Sequence, residues 1–180
     1  MILDVGCGDT YVGDVNTDLF IRDVEGHRIE ASRFNLDVHK IPNFIVCDAS
    51  HLPFKSNCFE MVVSRQVIEH VAKPFLMFQE MFRCSKNLIV VETVHRRGER
   101  LQCRKARAWS RKHHVNSFNF SSFKKLAASY KIPFVKFTVL SSRKMPSKRL
   151  PLLTVPFEFR AVFAKRGYKK NSKVEFLKSL

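Results

Sequence analysis

A chain of 180 residues, 45% hydrophobic and carrying 17 phenylalanines, holds enough apolar material for one full core, which excludes a disordered polypeptide. No stretch reaches the roughly 18 apolar residues that cross a bilayer, and the N-terminus lacks the charged and long apolar segments of a secretory signal. The formal charge of +16 is unevenly spread: residues 1–94 are net −4 and residues 95–180 net +20, a division that suits a small ligand in one half and a polyanion in the other.

Ile2–Val5 is apolar and reads as a first strand, running directly into Gly6-Cys7-Gly8. Glycine presents no Cβ and takes positive φ, so a ligand can lie against the backbone at such a turn. Val15–Asp18 reads as a second strand whose terminal acid is placed to accept hydrogen bonds from ribose hydroxyls. Residues 20–41 are polar, with a short helix expected over 29–36. A third strand is expected over 43–47, apolar enough to be buried on both faces. Asp48 and Ala49 follow it, and an acid in that place also serves as an ordinary turn cap.

Leu52-Pro53-Phe54 is expected to pack on a fourth strand over 59–64, a continuous apolar run of the kind a buried parallel strand requires. Ser64-Arg65-Gln66 reads as the loop at its carboxyl end, and a helix including Glu69-His70 is expected from Gln66. Pro74 opens a second helical stretch, with Phe75, Phe78, Met81 and Phe82 at helical spacing, because proline is tolerated in a first turn. A fifth strand is expected over 88–94. His70 titrates near neutrality and is the one weak candidate for proton transfer, with packing or hydrogen bonding as the alternative.

Residues 95–114 are the most basic run, with Arg96, Arg97, Arg100, Arg104, Lys105, Arg107, Arg111 and Lys112 against Glu99 alone. Trp109 sits among them as a stacking platform for a base. A solvated helix face is the alternative, but eight like charges repel one another unless a counter-charge arrives. A Ser or Asn within 116–122 is expected to cap a helix running to about Tyr130, ended by Pro133. A sixth strand over 134–140, a basic connection over 141–156, and a seventh strand over 157–164 complete the core, followed by a basic tail over 167–180. The five cysteines are scattered and odd in number, which suits reduced thiols in the cytoplasm. No metal is expected: Cys103 with His113 and His114 lacks a close ligand pair.

In order and spacing, residues 2–94 resemble the class I S-adenosylmethionine-dependent methyltransferases, in particular the type 11 group. The carrying motifs are Asp4-Val5-Gly6-Cys7-Gly8, Asp18, Asp48-Ala49-x-x-Leu52-Pro53-Phe54, Phe59-Glu60-x-Val62 and Glu69-His70. The resemblance implies an α/β Rossmann-like fold with a seven-stranded, mostly parallel sheet and an antiparallel last strand. It implies S-adenosylmethionine as cofactor, held by Asp4, Gly6, Cys7, Gly8, Asp18, Asp48, Ala49, Ser64 and Arg65. It also implies one domain over 1–166, with a cofactor half over 1–94 and a basic, substrate-facing half over 95–166.

The chain departs from the family between its first two strands, where nine residues leave the first crossover helix shortened or missing. Direct displacement at the sulfonium methyl is the implied reaction. The charge favours RNA, a tRNA or rRNA, as acceptor; the Asn/Asp-Pro-Pro-Tyr loop of amino-group methylators and a Pro-Cys nucleophile are both absent. A small-molecule methyltransferase and a non-catalytic nucleic-acid-binding scaffold are the alternatives.

Overall fold

The computed structural model describes residues 1–21, 38–100, 108, 113–132, 134–144 and 154–165. Seven strands form one sheet: β1 (Ile2–Val5), β2 (Val15–Asp18), β3 (Phe44–Val46), β4 (Phe59–Arg65), β5 (Ser85–Val94), β6 (Phe134–Lys144) and β7 (Thr154–Ala164). Their order across the sheet is β3-β2-β1-β4-β5-β7-β6. The first five are parallel to their neighbours, and β7 lies antiparallel between β5 and β6. This is the expected Rossmann-like arrangement, and all carboxyl ends of β1 to β5 fall on one rim, where such sheets bind ligands.

The helix-less crossover from β1 to β2 works because the strands are short. Nine residues of extended chain reach about 30 Å, ample to return along a four-residue strand of about 13 Å. The returning segment lies on β1 itself: Asp14 N–H donates to Ile2 O at 2.9 Å and Ile2 N–H to Asp14 Oδ2 at 2.7 Å. Gly13 is required there, since a Cβ would sit 2.8 Å from Asp4 N and 2.5 Å from Val15 O. Asn16, fully buried, braces the segment by donating to Gly13 O at 3.1 Å and Pro42 O at 2.8 Å.

Helices α1 (Pro74–Cys84) and α3 (Phe120–Ser129) cover one face, burying Met77, Phe78, Met81, Phe123 and Leu126 against Leu3, Val5, Val62 and Phe159. A smaller cluster of Met61, Val63, Leu88, Val90, Val162 and Ala164 occupies the other face. Short α2 (Arg96–Arg100) follows β5. Pro74 stands in the first turn of α1, as expected. Asn119 caps α3 with a full capping box, its side chain accepting from Ser122 N–H at 2.9 Å. Phe54 meets Phe59 edge-to-face at 5.0 Å, so the 52–54 segment packs as expected.

Several expectations need correction. β3 is not buried on both faces: it is the sheet's edge, with Ile45 36% and Val46 51% exposed. No helix starts at Gln66. That residue is left-handed (φ 55°), and a turn with His70 N–H on Val67 O at 2.8 Å precedes α1. Phe75 is exposed because the buried stripe of α1 runs through Met77, Phe78, Met81 and Cys84. Ser64 and Arg65 are not loop residues but the last two of β4. β6 and β7 reach past the expected ends to Lys144 and Thr154, since they pair with each other throughout and shorten the connection between them. The helix expected over 29–36, the residues Arg104, Lys105, Arg107, Trp109, Arg111 and Lys112, and the 167–180 tail lie outside the described residues.

Candidate active site

At the carboxyl end of β1 the chain turns through Gly6 (φ 72°) and Gly8 (φ 55°), a backbone path that L side chains resist. A Cβ on Gly6 would fall 2.3 Å from Val67 Cγ2, so this turn also fits closely against the segment following β4. Gly6 and Cys7 N–H both donate to Thr17 O, at 2.8 and 2.9 Å. The Asp18 carboxylate accepts from Gly8 N–H at 3.0 Å and Phe20 N–H at 3.2 Å. The turn's amides are therefore occupied internally, and what it offers a ligand is shape. Cys7 is buried, its thiol pushed up to about 12 by burial first and then by Asp18 and Asp4, so it remains a neutral packing group.

Asp4 is fully buried under this turn. Its Oδ2 accepts from Val12 N–H at 3.0 Å and meets Arg65 Nη2 at 3.4 Å, while Arg65 also donates to Thr10 O. One carboxylate thus ties the returning loop to the end of β4. Burial pushes the Asp4 carboxyl up, opposed by the Arg65 guanidinium. Asp4 Oδ1, Arg65 Nε and the hydroxyl of fully buried Ser64 have no hydrogen-bond partner among the described residues. Buried polar atoms of this kind need a hydrogen-bonding partner that the described residues do not supply, such as an ordered water, an ion or a ligand group.

The second and third acids stand on the same rim. Asp18 ends β2, which pairs with β3 so that Asp18 lies beside Val46, and Cys47 N–H donates to Asp18 O at 3.0 Å. Asp48 and Asp18 both act on the Cys47 thiol, whose pKa is raised chiefly by burial. Asp48 does form the turn cap raised as its alternative role: Oδ1 accepts from Ser50 N–H at 2.7 Å, which lowers its pKa. Its other oxygen faces His51 at 3.7 Å, and the side chain is half exposed, with Ala49 beside it. Asp4, Gly6, Gly8, Asp18, Asp48 and Arg65 thus stand at or next to the carboxyl ends of four neighbouring strands, β3, β2, β1 and β4.

Beyond Arg65 the rim is lined by a second polar group. Glu69 is 1% exposed, and its Oε2 accepts from Thr93 Oγ1 at 2.9 Å. Burial pushes its carboxyl up to about 7, against the pull of Thr93 and His114. His70 Nδ1 lies 3.1 Å from His113 O, and its ring meets His114 edge-to-face at 4.7 Å. His114 Nδ1 contacts Glu99 Oε1 at 2.8 Å. Sequence reasoning singled out His70 but missed His114 as its neighbour and Glu99 as the partner of His114. The paired Glu69-His70 and His113-His114 were the visible signal. Arg96, Arg97 and Arg100 are exposed on α2, directly after β5. The Glu92–Arg160 ion pair, at 2.5 Å and nearly buried, fixes β5 to β7 just below them.

Residues 3–88 match the methyltransferase domain family. No curated protein matches the sequence. Among solved structures, a SAM-dependent methyltransferase from Archaeoglobus fulgidus aligns with a TM-score of 0.62 at 14% identity, over 91% of this chain and 85% of that one. Magnesium protoporphyrin IX methyltransferase from Synechocystis, solved with bound SAM, aligns with a TM-score of 0.56 at 11% identity, over 92% and 69%. A Haloferax volcanii chain solved in complex with the Trm112 methyltransferase activator gives 0.59 at 12% identity, over 94% and 83%. At these identities the structural likeness is one of fold.

Proposed function

We propose, from the match of residues 3–88 to a methyltransferase domain family, that this chain transfers the methyl group of S-adenosylmethionine to RNA. The single observation carrying the choice of acceptor is the division of charge, net −4 over the cofactor half and net +20 over residues 95–180. Phosphate neutralisation by Lys and Arg is the main source of sequence-independent affinity for nucleic acid. Exposed Arg96, Arg97 and Arg100 begin that surface at the end of β5, beside the rim.

In this reading Asp18 accepts from the ribose hydroxyls and Asp48 from the adenine amino group, with Ala49 against the ring. Asp4 Oδ1 receives the ammonium of the methionine end and Arg65 its carboxylate, which accounts for the two unpartnered atoms on touching side chains. The cofactor supplies a sulfonium methyl open to in-line attack. The chain's own contribution is alignment: the Gly6 turn and the β4 end hold one reactant while the basic surface holds the other, and positioning alone removes much of the barrier. No strong general base is required. The four described cysteines are free thiols, in keeping with a reducing, cytoplasmic setting. No helix of the described residues is long and apolar enough to cross a membrane.

The test is incubation with cofactor radiolabelled in the methyl group, offered in parallel with total RNA, protein and small-molecule fractions. Label in RNA that disappears on nuclease treatment is the expected result. Label in the small-molecule fraction alone would replace RNA with a metabolite. Retention of RNA with no transfer to any fraction would leave a nucleic-acid-binding scaffold.

A further inference from the structure

Glu69, His70 and His114 come from two distant segments, yet each offers a ligand atom within 4.8 Å of the other two. Three atoms so placed share a centre no more than about 2.8 Å from each, against zinc bonds of about 2.0–2.2 Å to nitrogen and oxygen. Shifts of well under 1 Å per side chain would close that gap. The geometry points to a binding site for a transition-metal dication of the zinc class in the Glu69–His70–His114 cluster, at the turn after β4.

The surroundings are those of a built metal site. A carbonyl can only accept, so the His70 Nδ1 contact with His113 O places a proton on Nδ1 and orients the ring. The Glu99 carboxylate does the same for His114. Metal-binding histidines characteristically donate their other N–H to a carbonyl or carboxylate, which orients the ring. Glu69 is held in turn by the Thr93 hydroxyl. The two segments are also cross-linked independently of these side chains: Asn116 N–H donates to Glu69 O at 3.0 Å, and its Nδ2 donates to Val71 O at 2.6 Å. Two imidazoles and one carboxylate suit zinc-class ions, whereas magnesium and calcium prefer all-oxygen sets. Three protein ligands leave a fourth position for water or an acceptor group. Metal binding here would fasten the C-terminal end of the basic run to the turn after β4.

The test uses the full chain stripped of metal by chelation, with no cofactor present, so its outcome is separate from the methyl-transfer reading. Zinc is titrated by calorimetry, and cobalt by its visible spectrum. The expected result is one equivalent bound, a tetrahedral cobalt spectrum without thiolate charge transfer, and a rise in unfolding temperature with zinc but not with magnesium. His114→Ala and His70→Ala should lose the site. Glu99→Gln, which leaves all three ligands in place, should weaken zinc about 10–100-fold, and His51→Ala should change nothing. No stoichiometric binding by the parent protein overturns the proposal whatever the variants do. So does a thiolate-type cobalt spectrum, or binding that His70→Ala and His114→Ala leave intact.

Discussion

Individual residues at the rim carry chemistry that burial alters in a checkable way. Glu69 has a folded-state pKa of about 7 against 4.5 as a reference, so the native protein holds a proton that the unfolded chain gives up. Below about pH 4.5 this has no effect; between there and about pH 7 it lowers stability progressively, and above that the cost is constant. In chelator, Glu69→Gln should therefore match the parent near pH 4 and exceed it at pH 8 by about 3 kcal/mol, from about 1.4 kcal/mol per pKa unit. Urea unfolding at both pH values reads this directly, and an equal difference at the two would show that Glu69 does not titrate in that range. At the glycine turn, Gly6→Ala sets a Cβ 2.3 Å from Val67 Cγ2 at a positive φ. It should cost about 1–3 kcal/mol and abolish the thermal shift produced by S-adenosylhomocysteine.

At the scale of elements, stability and site are separable. The capping box of α3 uses Asn119 and Ser122 and none of the candidate cofactor residues, so Asn119→Ala should lose about 0.5–2 kcal/mol with cofactor affinity unchanged. A parallel loss of affinity in titration calorimetry would mean that α3 helps shape the site. Some elements were legible from local chemistry alone. Ile2–Val5 and Val15–Asp18 appear with the expected bounds: the first is a mostly apolar run stopped by Gly6, and the second a short segment between Gly13-Asp14 and its own terminal acid. Pro74 marked the start of α1 for the same kind of local reason. Others were not. β3 reads as a buried strand, yet it is exposed because nothing among the described residues pairs along its outer edge. The Glu69-His70 segment looks helical in isolation, but left-handed Gln66 and the contact with Asn116 hold it as a turn.

Over the whole molecule, the proposed RNA acceptor and the net charge of +16 together predict retention that falls steeply with salt, because each phosphate neutralised releases counterions. The logarithm of the binding constant should fall linearly with the logarithm of salt concentration. Replacing Arg96, Arg97 and Arg100 together by Gln should reduce that slope by about three if all three touch phosphate; an unchanged slope would remove α2 from the RNA surface. The sequence by itself determined most strand positions, the glycine turn after β1 and the charge division, since these rest on short-range patterns of apolarity, glycine and charge. Only the tertiary structure decided that a nine-residue crossover needs no helix, that Asp4 and Arg65 join across 61 positions of chain, and that Glu69, His70 and His114 come together with Glu99 against His114. Those depend on which strands lie side by side, and no local window of residues records that.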